Sequence, residues 1–134
     1  MKENNQALFR VIDANINRYK EGIRVVEDIY RYIYNDKNIA LELKNLRHIN
    51  IPINIKELLK YRDSINDVLK PTIKSETNRE NLESIIIANI KRSEESARVL
   101  EELFKLYNIE TSETFKNNRY KLYNIEKQIL TTNK

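Results

Sequence analysis

The chain reads as an all-α protein: duplicated helical hairpins forming a four-helix bundle, with a short extra helix and a middle loop between them. Three observations predict this. Apolar residues recur at helical spacing along most of the chain, Pro52 and Pro71 are its only prolines, and a segment near the start returns 74 residues later. A first long helix is predicted from about Gln6 to Tyr34. Asn4 or Asn5 can cap it, because a short side-chain oxygen accepts from the unpaired amides of a first turn. A second helix follows Asp36 and ends near Asn50, since Pro52 disfavours helical geometry at Ile51. A short helix from Lys56 to Tyr61 precedes an irregular stretch from Arg62 to Asn78. Thr77 and Glu80 have capping-box spacing for another long helix to about Tyr107, and Thr111 or Ser112 opens the last one, through Ile129.

The two long helices are copies. A shift of 74 aligns Ile12 to Glu27 with Ile86 to Glu101 and gives nine identical pairs in sixteen, where chance would supply about one. Ala14/Ala88, Asn15/Asn89, Arg18/Arg92, Glu21/Glu95, Arg24/Arg98, Val25/Val99 and Glu27/Glu101 are among them. The helices that follow also match at a shift of 72, which pairs Arg47 with Arg119. Residues 1–134 therefore form one domain in which a hairpin at about 6–51 is repeated at about 80–130. Packing the two hairpins together buries both apolar stripes in one core with pseudo-twofold symmetry.

Composition removes several chemistries. With no Cys and a single His, His48, the chain builds no disulfide framework, thiolate zinc site, iron–sulfur site or multi-histidine metal site. Gly22 is the only glycine and sits inside a helical pattern, so glycine-rich phosphate loops of the Walker or dinucleotide type are excluded. A di-iron bundle needs Glu-x-x-His on paired helices, and here Arg24 follows Glu21 and Arg98 follows Glu95. The 24 Lys and Arg residues exceed the 20 Asp and Glu by a net +4, but the signs are interspersed. That balance points toward small anionic ligands rather than nucleic acid. The apolar runs are far too short to span a bilayer, and the start lacks a signal-peptide core, so a cytoplasmic site is expected.

On a helical wheel with Asn15 at zero, the apolar residues of the first helix fall in an arc from about 280° through 0° to 100°. Asn15, Arg18 and Gly22 lie inside that arc, as do Asn89, Arg92 and Ser96 in the second copy, while Glu27 and Glu101 fall on the flanks. A core-facing guanidinium needs a carboxylate, carbonyls or an anionic ligand. Two readings follow. Asn15, Arg18, Asn89 and Arg92 form a symmetric polar network that sets how the hairpins pack, or the two Arg residues grip phosphate oxygens across a cleft. Gly22 and Ser96 make room for a ligand or for close helix packing. The tyrosines are read as core and rim packing with hydroxyls at the edge. His48 is a surface residue or a ligand contact. In the irregular stretch, Arg62, Asp63, Ser64 and Asp67 either order a phosphate with Mg²⁺ or form a solvated turn.

The segment from Val11 to Asp28 closely resembles the opening of the helical domain fused ahead of thiamine-phosphate synthase in some bacteria. Leu46-Arg47-His48, Arg62-Asp63, Asp67-Val68, Ala88-Asn89 through Glu101-Glu102, and Arg119-Tyr120-Lys121-Leu122-Tyr123 with Glu126 resemble it too, in order. The likeness covers essentially the whole chain. In the middle loop this sequence carries Ser64, Leu69 and Lys70 where the family pattern has Thr, Gly and Thr. The resemblance implies an alternative hydroxymethylpyrimidine phosphate kinase, which passes the γ-phosphoryl of ATP to the pyrimidine monophosphate with Mg²⁺ as the metal. It also implies either a free-standing version or an excised domain. On this basis Arg18, Arg92 and Arg62 are expected to bind phosphates, with His48 beside them. Asn15 and Asn89 orient the substrate, and Asp63 or Asp67 serves the metal or the hydroxyl proton. The expected partners are the pyrimidine phosphate and ATP, with thiamine-phosphate synthase and a second copy of the chain as further candidates. The alternative is a non-catalytic helical module that binds the synthase or its pyrimidine substrate.

Overall fold

The computed structural model describes residues 5–71 and 79–132, and among these it contains helices and no strand. Helix α1 runs Asn5–Asp28 and continues through a single π turn, Ile29–Ile33; α2 spans Lys37–Arg47, α3 Ile55–Lys60, α4 Leu82–Phe104 and α5 Ile109–Thr131. The π turn ends at Asn35, whose φ of 52° is a left-handed conformation that Asn tolerates. Asp36 then starts α2 by accepting from the Ile39 amide at 3.1 Å.

Two helix starts differ from the sequence expectation, and Asn4 and Thr77 lie outside the described residues. Helix α4 begins at Leu82, with Asn81 and Ser84 forming the capping box instead of Thr77 and Glu80. Helix α5 is capped by Asn108, which accepts from the Thr111 amide and hydroxyl, so Thr111 and Ser112 sit inside the first turn. In each case an asparagine takes the cap position, its side-chain oxygen accepting from the amide three residues on: Ser84 for Asn81 and Thr111 for Asn108. Helix α4 also stops at Phe104, short of Tyr107.

Helices α1 and α4 form the central antiparallel pair. Gly22 faces Ser93 and Asn89, while Tyr19 faces Ser93 one turn away, so the two helices run past each other in opposite directions. A Cβ on Gly22 would lie 2.3 Å from Ser93 Oγ and 2.6 Å from the Asn89 carbonyl oxygen. Close helix packing is therefore what the lone glycine provides. Helix α2 covers α1 and α5 covers α4, and between them lies one continuous hydrophobic core. Its centre is aromatic: Tyr19 meets Phe115 edge-on at 5.4 Å, and Phe104 stacks on Phe115 at 5.8 Å. Helix α3 closes one end, where Tyr61 packs on Phe9.

The repeat survives as pseudo-twofold geometry. Glu27 accepts from Arg47 at 2.7 Å, and its copy Glu101 accepts from Arg119 at 2.8 Å. Exposed pairs repeat as well, Arg24 with Asp28 and Arg98 with Glu102. The axis passes through repeat-equivalent residues. Ser93 Oγ donates to the carbonyl of its counterpart Tyr19, and the Tyr19 hydroxyl donates to the Leu46 carbonyl while accepting from Asn118, the counterpart of Leu46. Glu27 and Glu101 are thus buried ion-pair members rather than flank residues. The flank that a single wheel leaves open is the surface that α2 and α5 cover. Tyr19 is likewise buried with its hydroxyl inside the core, unlike the rim position expected of the tyrosines.

Candidate functional site

The charged groove on the outer side of α1 gathers most of the candidate residues. It is lined by Arg10, Asn15 and Arg18 from α1 and by Arg62, Asp63 and Asp67 from the loop after α3, and it has a volume of about 360 Å³. That size lies near the lower end of small-molecule sites. Arg62 is anchored by a bidentate pair with Asp13, Nε to Oδ2 and Nη2 to Oδ1, both at 2.7 Å. Asp13 is buried, and the hydrogen bond to its carboxylate raises the Arg62 pKa above the ordinary value. Asp13 has the role in positioning Arg62 that inspection of the sequence missed; its place on the helical wheel beside the core is the only signal that could have found it.

The loop is held to the helix by Arg10, whose Nη2 donates to the Asp63 carbonyl at 3.1 Å. Within the loop Asp63 accepts from the Asn66 amide and side chain at 3.1 and 2.7 Å, which lowers its pKa. Asp67 accepts from the Leu69 amide through Oδ1 at 2.9 Å. Both aspartates therefore act as turn-forming residues first. Arg18 is exposed and makes no ion pair among the described residues, which leaves its guanidinium open to an anion. Arg62 offsets Asp13, so the charges of Arg10 and Arg18 balance those of Asp63 and Asp67, and the groove offers placed guanidinium groups rather than a net positive charge.

The other candidates lie elsewhere. Arg92 is exposed on α4, Asn89 is half-buried there, and His48 is exposed at the C-cap of α2; none of the three lines this groove. Asn15 and Asn89 each donate to a carbonyl one turn back, Val11 at 3.0 Å and Ile85 at 2.8 Å. Arg18 and Arg92 do not face the core as the wheel placed them, because they sit at the edge of a broad apolar arc that the neighbouring helix does not reach. Antiparallel α1 and α4 related by the repeat turn the same side outward, so Arg18, Glu21 and Val25 share an exposed face with Arg92, Glu95 and Val99.

A metal ion is poorly served by protein ligands alone: among the described residues no three His, Cys, Asp or Glu side chains gather to hold one. An Mg²⁺ ion held mainly by a phosphate-bearing ligand would ask the protein for only one or two carboxylates. Asp67 keeps one oxygen without a hydrogen bond among the described residues, whereas both Asp63 oxygens are occupied.

Fold and groove together define an internally duplicated all-α protein with several guanidinium groups lining one groove. The chain belongs to the ThiD2 family, whose profile matches residues 10–128. It is similar to thiamine-phosphate synthase of Nostoc punctiforme, 36% identical over 126 residues that cover 93% of this chain and 36% of that protein. It is also similar to thiamine-phosphate synthase of Thermosynechococcus vestitus, 37% identical over 96% of this chain and 36% of that protein. The synthase of Rhodopirellula baltica is 32% identical over 88% of the chain and 33% of its own length. The chain thus spans about a third of the length of the curated relatives it matches. Family and relatives connect it with thiamine biosynthesis. No solved structure matches it significantly. No helix among the described residues is long and apolar enough to cross a membrane.

Proposed function

We propose that this chain is a hydroxymethylpyrimidine phosphate kinase of thiamine biosynthesis, transferring the γ-phosphoryl group of ATP to the pyrimidine monophosphate. The observation that carries the reading is Arg18, with no protein partner among the described residues, beside the Asp13-anchored Arg62 in a groove of substrate size. In the reaction an oxygen of the acceptor phosphate attacks the γ-phosphorus, the bond to the β–γ bridging oxygen breaks, and ADP departs. The acceptor phosphate is already largely ionised at neutral pH, so no strong general base is required. Asp63 and Asp67 are then positioning groups, with Asp67 available to the Mg²⁺ that travels with ATP, while the Arg residues spread the charge of the transferring group. The groove has room for one small substrate. The nucleotide extends over the outer face of α1 and α4, toward Arg92.

A second reading is a non-catalytic module that binds thiamine-phosphate synthase or its pyrimidine substrate. It is favoured by one fact, that the matched relatives are synthases of which this chain spans about a third. ATP turnover by the purified chain, measured with and without hydroxymethylpyrimidine phosphate, separates the two: a kinase consumes ATP only when the acceptor is present.

A further inference from the structure

The joint between α1 and α2 is not a copy of the joint between α4 and α5. The repeat shift falls from 74 residues on the long helices to 72 on the helices that follow, so the first joint is two residues longer. The π turn Ile29–Ile33 and the left-handed Asn35 take up the extra length. In the second hairpin the joint is sealed: the Ser112 hydroxyl donates to the Glu101 carbonyl at 2.7 Å, and the Lys105 ammonium pairs with Glu102 at 2.7 Å. The counterparts in the first hairpin are Ala40, which has no hydroxyl to give, and Arg31, which makes no ion pair among the described residues. Here the joint opens into a pocket of about 320 Å³ whose wall includes Arg31, Lys37, Ala40 and Lys44. Duplication does not demand its charge, because the counterpart of Lys37 is Ile109.

We infer that the pocket at the α1–α2 joint is an anion site that takes the adjacent phosphates of a diphosphate or longer oligophosphate. Arg31 reaches it from the π turn, and Lys37 and Lys44 from α2. Of the acids on its wall, Glu27 is already held in a bidentate pair with Arg47, and Asp36 caps α2 through the Ile39 amide. Three cations thus face one further carboxylate, an excess of positive charge that the α1 groove with its two loop aspartates lacks. None of the three is in an ion pair among the described residues, so their mutual repulsion is relieved by a bound anion. The Arg31 guanidinium lies over the Tyr32 ring at 4.9 Å, a contact that orients it while leaving N–H groups for phosphate oxygens. Cations on two separate elements match two adjacent phosphates better than one. The volume is near the lower end for a small-molecule site, with room for a phosphate chain and little else. Arg31 stands about 20 Å along the helix from Arg18, so this site is separate from the α1 groove and does not rest on the kinase reading.

The test is a titration of the full chain with pyrophosphate at fixed ionic strength and without divalent cations, followed by the backbone amide shifts in proton–nitrogen correlation spectra, which report each site separately. Saturable shifts are expected at Asn35, Lys37 and Ala40, with inorganic phosphate binding there more weakly. Arg31→Gln and Lys44→Gln change exposed side chains and should leave the melting temperature unchanged. Each should weaken the elbow response by roughly fivefold or more, and the double variant should lose it. Arg18→Met, in the other groove, should leave the elbow shifts as they are. ADP in place of pyrophosphate identifies the source: tighter binding makes the ligand a nucleotide, equal binding a bare diphosphate, and both uphold the site. The inference is overturned if the elbow amides show no saturable shift, if sodium chloride alone reproduces the shifts, or if the folded double variant binds pyrophosphate there as wild type does.

Discussion

Ser93 and Tyr19, residues that occupy the same position in the two copies of the repeat, touch each other on the pseudo-twofold axis: the Ser93 hydroxyl donates to the Tyr19 carbonyl at 2.9 Å. Such a contact between counterparts is possible only on the axis. It places Gly22 one turn away at the closest approach of α1 and α4.

Gly22→Ala should therefore destabilise the protein although alanine is the better helix former. The added Cβ meets a backbone oxygen of α4 that cannot move aside alone, and overpacking of this kind costs about 1–3 kcal/mol. Urea unfolding of the two proteins measures it. Adding Ser93→Ala relieves the contact with Oγ but not that with the Asn89 carbonyl, so only part of the loss should return.

The buried pair of Arg119 and Glu101 gives a sharper case. Arg119→Met leaves the Glu101 carboxylate buried and unpaired, which should cost about 3–5 kcal/mol. Glu101→Gln in the same chain removes the stranded charge, and the double variant should regain much of the stability. A double-mutant cycle by chemical denaturation reads the coupling.

Stability should also respond to pH through Glu94, whose carboxyl is pushed up to about 7, first by burial and then by the Glu126 carboxylate. Between its ordinary value of 4.5 and about 7 the folded protein holds a proton that the unfolded chain has released. Stability therefore falls as pH rises through this window and levels off above it. Denaturation midpoints at several pH values from 4.5 to 8, in the absence of divalent cations, should show the decline in wild type and a flatter profile in Glu94→Gln.

Much of this molecule can be read from the residues. The helical periodicity located every helix, and the matches of Glu27 with Glu101 and Arg47 with Arg119 contained the two buried ion pairs. What a single helical wheel cannot show is the second layer. It placed Glu27 and Glu101 on flanks because nothing in α1 or α4 says that α2 and α5 will cover those flanks and bring Arg47 and Arg119 to them. The same limit put Arg18 and Arg92 in the core, where the arc edge is in fact exposed. The approach of Arg62 to Asp13 joins residues 49 positions apart through a loop without periodicity, and no local pattern encodes it. Cap positions failed where several capping residues lay within one turn.

Arg18→Met and Arg92→Met should leave folding stability within about 0.5 kcal/mol of wild type, as exposed positions without partners among the described residues do. Both should weaken binding of the pyrimidine monophosphate or ATP, with Arg18 the more damaging because it lines the groove. Thermal melts with and without each ligand provide both readings from one experiment: the ligand-free melting temperature is unchanged and the ligand-induced rise shrinks.

The most direct test is phosphorus NMR of the purified chain incubated with ATP, Mg²⁺ and hydroxymethylpyrimidine phosphate. A kinase gives matched growth of ADP and of the pyrimidine diphosphate, abolished when either substrate is omitted and strongly reduced by Arg18→Met. Signals of ATP and monophosphate that persist unchanged, in a sample where the melting temperature shows the pyrimidine phosphate to be bound, would contradict the account and leave a binding module in its place.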